Sequence, residues 1–144
     1  MSVAAFHDCV GALLVREGEV LLGRRAADCA WLAGAWDMFG GHIEAGESEE
    51  AALRRELGEE LGIDPLEVRR LGTIGGDHPE PWRLHVHVVT SWRGDPQNLQ
   101  LHEHAEIRWC SPDEAKQRLG PAHADLPSLI ERALATRRHS TGPG

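Results

Sequence analysis

The sequence has few cysteines, no excess of positive charge and no long apolar run, and each shortage removes a class of protein. Cys9, Cys29 and Cys110 are odd in number, far apart and outside any C-x-x-C pair. That excludes a disulfide framework and a cysteine-built zinc site, and predicts reduced, buried thiols. Lysine and arginine total 15 against 23 acidic residues, a formal net charge of −8, so a stable nucleic-acid partner, which needs a basic face, is not expected. No apolar stretch approaches the roughly 20 residues of a spanning helix, which argues against a membrane partner. The opening MSVAAFHDCVGALLV shows neither the basic start nor the cleavage site of a secretory signal, and the expected location is the cytoplasm.

What is present fits one globular domain. A chain of 144 residues, 41% of them hydrophobic, can bury a core without disulfides or a structural metal. A single domain is expected over residues 1–138, with 139–144 as a disordered tail. Phe6 to Val15 and Val20 to Leu22, joined by Glu17-Gly18-Glu19, predict a β-hairpin. Ala26 to Ala35 reads as a loop, and Trp36 to Phe39 as a short strand closed by Gly40-Gly41. From Ser48 to Leu61 the spacing of Leu53, Leu57 and Leu61 predicts a helix, capped by Ser48 and stopped by Gly62. Strands are predicted at Val68 to Ile74, Leu84 to Trp92 and Ala105 to Trp109, and helices after the Ser111 cap and from Leu126 to Thr136.

The negative charge is concentrated. Between Glu44 and Glu60 lie seven glutamates against Arg54 and Arg55, so this stretch supplies five of the eight excess charges. On a helix, Glu56, Glu59 and Glu60 fall within an arc of about 100°, beside the leucine face. Like charges at that spacing cost a few tenths of a kcal/mol per pair, more when desolvated. Carboxylate oxygens with no His or Cys on the same helix suit Mg²⁺ and then Mn²⁺, and fit zinc poorly. A solvated acidic face without an ion is the alternative that the helix alone leaves open.

Read outward from the helix, the residues spell Gly41, five residues, Glu47, seven residues, then Arg55-Glu56-Leu57-Gly58-Glu59-Glu60-Leu61-Gly62-Ile63. This resembles the Nudix hydrolase signature G-x5-E-x7-R-E-U-x-E-E-x-G-U, with U aliphatic, at every defining position. The coincidence has a chance of roughly 10⁻⁹ at a given start on average residue usage. The resemblance implies an α+β fold, an α/β/α sandwich of a mixed β-sheet with helices on both faces. It also implies hydrolysis of a nucleoside diphosphate linked to another moiety, with Mg²⁺ or Mn²⁺. Such hydrolysis needs the phosphate oxygens neutralised and a water placed in line, and an acidic site meets a polyphosphate only across metal ions.

By the motif, Glu56, Glu59 and Glu60 are implied as metal ligands, with the Gly41 carbonyl as a further one and one glutamate doubling as general base. Arg55 and Glu47 are implied as an ion pair tying the preceding loop to the helix, and Gly40 with Gly41 as the tight backbone beside the metals. Outside the signature, Arg24-Arg25-Ala26-Ala27-Asp28 and Trp92-Arg93-Gly94-Asp95-Pro96 are similar to stretches of MutT-type nucleoside triphosphate pyrophosphohydrolases. That similarity makes Arg25 the candidate phosphate contact and Glu103 the candidate for an extra carboxylate that joins the metal site. His85 and His87 alternate on a predicted strand and share a face, either as a wall of the base pocket or as satisfied core histidines. Trp31, Trp36, Trp82, Trp92 and Trp109 are expected in the core or at its rim.

Two positions depart from the pattern. Phe39 stands where the family has proline, and His123 falls near the place of the asparagine that reads a purine in MutT-type enzymes, which weakens an oxidised-guanine assignment. The expected substrate is a nucleoside triphosphate, ordinary or oxidised, cleaved to monophosphate and pyrophosphate. Dinucleoside polyphosphates or another nucleotide derivative come next. A non-catalytic nucleotide-sensing domain is a minority reading, because such domains commonly lose signature acids that are all present here, and a structural acidic helix without metal is weaker still. Monomer and homodimer are both compatible with the sequence.

Overall fold

The computed structural model describes residues 6–28, 34–77 and 80–135. Cys29, Trp31, the middle of the loop expected at Ala26 to Ala35 and the tail at 139–144 lie outside the described residues. In chain order the elements are β1 (His7–Arg16), β2 (Glu19–Arg25), β3 (Trp36–Asp37), β4 (Phe39–His42), α1 (Glu49–Leu61), β5 (Asp64–Gly76), β6 (Trp82–Arg93), β7 (His104–Cys110), α2 (Pro112–Leu119) and α3 (Leu126–Ala135). A 3₁₀ turn at Gly120–Ala122 follows α2.

The strands form one mixed sheet organised around β1. One edge of β1 pairs in parallel with β6 from His7 to Leu14. Its other edge is shared, Cys9 to Ala12 pairing with β4 and Leu14 to Arg16 with β2. The fork at Leu13 sends β4 and β2 apart. β7 then lies along the far edge of β2, and β5 along that of β6.

The strand period of two sorts the core into two layers. Val10, Ala12 and Leu14 of β1 and Val89 of β6 pack against Leu53, Leu57 and Leu61 of α1. Leu13 of β1 and Val86 and Val88 of β6 turn the other way, toward Leu119 of α2 and Leu126, Leu129 and Ile130 of α3. Helices therefore cover both faces, the α/β/α sandwich that the resemblance implied. α1 forms where its leucine spacing predicts. Ser48 accepts from the Ala51 N–H at its start, and Gly62, at φ 71°, takes the left-handed conformation that ends it. A capping box of Ser111 and Glu114 starts α2.

Two local readings change. The strand expected from Trp36 to Phe39 breaks at Met38, whose N–H is taken by the Asp37 carboxylate at 2.8 Å. Gly40 and Gly41, expected to close that strand, instead lie inside β4, paired with Gly11 and Val10. β5 begins at Asp64 rather than Val68 and runs through Pro65. Proline is tolerated there because, among the described residues, β5 pairs with β6 alone, as an edge strand.

Cys9 and Cys110 are unbridged, and burial raises both thiol pKa values, that of Cys9 to about 11. Trp92 stacks on Trp109, Trp82 meets His123 edge-on, and Trp36 lies under Arg118. Among the described residues no helix is long and apolar enough to cross a membrane.

Candidate active site

The two glycines of β4 seat the carboxylates of α1. At Gly40, φ is 150° and a Cβ would lie 2.0 Å from the Val10 carbonyl oxygen, so only glycine fits between β4 and β1. Its N–H donates to Glu60 Oε2 at 2.9 Å. A Cβ at Gly41 would come 2.6 Å from Glu56 Oε1. The missing side chain is thus the space that the Glu56 carboxylate occupies.

Arg55 ties the loop before α1 to the helix. Its Nε and Nη2 meet Glu47 Oε2 and Oε1 at 2.8 and 2.9 Å. Nη2 also donates to the His42 carbonyl at 3.0 Å, and Nη1 to Glu56 Oε1 at 2.9 Å. The Arg55 hydrogen bonds hold the Glu47 carboxyl down at about 2, helped by the Glu44 N–H, and the bond to Glu47 raises the arginine's own pKa.

Beyond this paired layer the negative charge is crowded. Glu60 is 6% exposed. Its carboxyl is pushed up to about 9, first by burial and then by the charge of Glu56, with Glu103 and Asp37 adding to it against the Gly40 N–H. Burial also raises Glu56, although Arg55 opposes the shift. Glu59 stands further out, its side chain 53% exposed and 3.5 Å from Arg55. Glu103 reaches the same place from the turn before β7, where its carbonyl accepts the Ala26 N–H. Glu60, Glu103 and His104 each offer a ligand atom within 4.8 Å of the others. α1 itself carries no histidine, as its sequence shows, and β7 brings one to its carboxylates.

Arg24 and Arg25 part ways at a bulge in β2. Arg24 pairs with Glu106 at 3.0 Å, whereas Arg25 lies opposite His104, close enough for its charge to lower the pKa values of both Asp37 and His104. Burial lifts the Asp37 carboxyl to about 6. His85 and His87 do share a face, as expected, and the face is that of α1. They stand at its first turn, with His85 bonded to Asp8 at 2.7 Å and to Thr73 and Arg70 at 2.9 Å, and His87 3.3 Å from Glu49. His123 bonds the Gly75 carbonyl at 3.1 Å and accepts from the Asp125 N–H, locking the start of α3 to β5.

Sequence reasoning passed over Asp37 and His104 as site residues. Asp37 falls inside the strand expected from Trp36 to Phe39, and His104 in the polar connection before the strand expected at Ala105, so neither position marks itself as part of a site. The donors present suit a divalent cation: several carboxylates, one of them buried among like charges, which a cation at that point would offset.

The sequence profile of the NUDIX domain matches residues 5–133. The CTP pyrophosphohydrolase of Escherichia coli (strain K12) is 39% identical over 135 residues, 90% of this chain and 93% of that protein. The 8-oxo-dGTP diphosphatase of Proteus vulgaris is 31% identical over 96 residues, 66% of this chain and 85% of that one. The solved structure of a MutT NUDIX hydrolase from Burkholderia pseudomallei matches with a TM-score of 0.77 at 27% identity, covering 92% of this chain and 99% of its own.

Proposed function

The chain belongs to the Nudix hydrolase family and is a pyrophosphohydrolase of nucleotide derivatives; from there we propose that its substrate is a nucleoside triphosphate, cleaved to the monophosphate and pyrophosphate with Mg²⁺ or Mn²⁺. The observation that carries this reading is the convergence of Glu56 and Glu60 on the Gly40-Gly41 backbone, with Glu103 arriving from the opposite side. The relative that acts on CTP, matched over nearly its whole length, makes CTP the first triphosphate to test.

Glu56, Glu59, Glu60, Glu103 and the Gly41 carbonyl are the groups that would hold the ion. When bound, a divalent ion neutralises the polyphosphate and makes an attacking water more acidic. Arg55 holds Glu56 oriented while it keeps Glu47 and the loop in place. Arg25, a guanidinium at the end of β2, is the phosphate contact. One carboxylate of the set takes the proton of the water, whose oxygen forms the new P–O bond as the anhydride P–O bond breaks.

Product analysis tests the reading. CTP, other ordinary and oxidised triphosphates, dinucleoside polyphosphates and nucleotide sugars are each incubated with Mg²⁺ or Mn²⁺, and pyrophosphate and orthophosphate are measured separately. Pyrophosphate together with a monophosphate from a triphosphate is the expected result. Turnover confined to the other substrates, or none with either ion, would overturn it.

A further inference from the structure

His104 lies in the crowded region but outside the signature. It is 3% exposed, and its Nδ1 is buried without a hydrogen-bond partner. A buried polar nitrogen left unpaired costs roughly 1–3 kcal/mol, so native proteins rarely keep one without a ligand or water to meet it. The backbone around it is satisfied: Asn98 donates to the His104 carbonyl at 2.8 Å, and the His104 N–H to the Gln100 carbonyl at 2.9 Å. Asn98 Oδ1 is also buried and unpartnered, so two unmet polar atoms lie around the same residue.

The ring is held in place. It packs against Phe39 with centroids 5.3 Å apart, and it fills the space in front of Gly23, where a Cβ would come 2.8 Å from its Cδ2. One of its ring nitrogens lies within 4.8 Å of a Glu60 and a Glu103 oxygen. Ligands about 2.1 Å from one ion stand roughly 3–4 Å apart, so a small inward movement closes the three donors around a single cation.

We propose that His104 is a nitrogen ligand of the divalent-ion site, completing a Glu60, Glu103 and His104 set that favours Mn²⁺ over Mg²⁺. The proposal rests on the reading of this region as a metal site. Imidazole suits the transition ions, whereas Mg²⁺ keeps to oxygen donors and to its own waters. Manganese therefore gains a ligand here that magnesium has little use for.

Pulsed EPR of the intact protein titrated with Mn²⁺ alone reads nitrogen ligation directly. The expected result is a ¹⁴N coupling in the wild type that vanishes in His104→Gln, while that variant still binds Mn²⁺, about tenfold more weakly, with its Mg²⁺ affinity little changed. Bound Mn²⁺ without a nitrogen coupling in the wild type would overturn the proposal and leave the metal site standing. Absence of Mn²⁺ binding would overturn both. The wild-type spectrum decides the matter even where the variant does not fold, and equal weakening of Mn²⁺ and Mg²⁺ in a folded variant would count against the selectivity.

Discussion

At the first turn of α1, Glu49 is met by Arg70 at 3.1 Å and His87 at 3.3 Å, while Asp8 across the sheet is met by His85. Two turns further on, Glu56 and Glu60 face Glu103 and Asp37, with Arg55 as the cation bonded to Glu56. The same helix thus carries one end whose charges are matched within the fold and another where carboxylates outnumber the cations bonded to them. The matched end fastens α1 to β5, β6 and β1. The unmatched end keeps its carboxylates buried against Gly40 and Gly41 at a cost in stability, which is reasonable only where a cation arrives to offset it.

Substitutions can break this contrast. Glu60→Gln or Glu56→Gln is expected to lower kcat by about 10²- to 10³-fold, with the metal-free protein as stable as the wild type or more so. Steady-state kinetics beside thermal melts check both halves. Arg55→Ala acts on the boundary between the two ends. It leaves Glu47 and Glu56 without their partner, and a stability loss of roughly 1–3 kcal/mol should accompany the fall in activity, read from denaturant melts. At the matched end, His87→Gln is expected to cost about 1 kcal/mol and to leave KM unchanged. A raised KM at unchanged stability would place His87 in the substrate pocket.

The parts legible in the sequence are those written locally. The leucine spacing of α1, its Ser48 cap and its Gly62 stop depend on neighbours within a few residues, and the signature spacing brings Glu47 to Arg55 across a single turn and loop. The parallel pairing of β1 with β6 joins residues 75 positions apart, which no local pattern encodes. The break at Met38 goes with one hydrogen bond, which the Met38 N–H donates to the Asp37 carboxylate. His104 reaches Glu60 only because β7 adds to the far edge of β2. A loop of alternating His and Glu carries no mark of that placement.

The pH dependence of stability tests the contrast most directly. Glu60 ionises near the ordinary 4.5 in the unfolded chain and near 9 in the metal-free native protein. Between those values the native state holds a proton that the unfolded state has lost, so stability falls as pH rises through that window. Glu47, held at about 2 by Arg55, does the reverse: its contribution is complete above 4.5 and is lost as pH falls toward 2. The decisive measurement is the melting temperature from pH 5 to 9 with and without saturating Mg²⁺ or Mn²⁺. A metal-free decline toward pH 9 is expected, which either ion reverses by several degrees in the wild type but not in Glu60→Gln. Melting temperatures that neither ion shifts at any pH would contradict it.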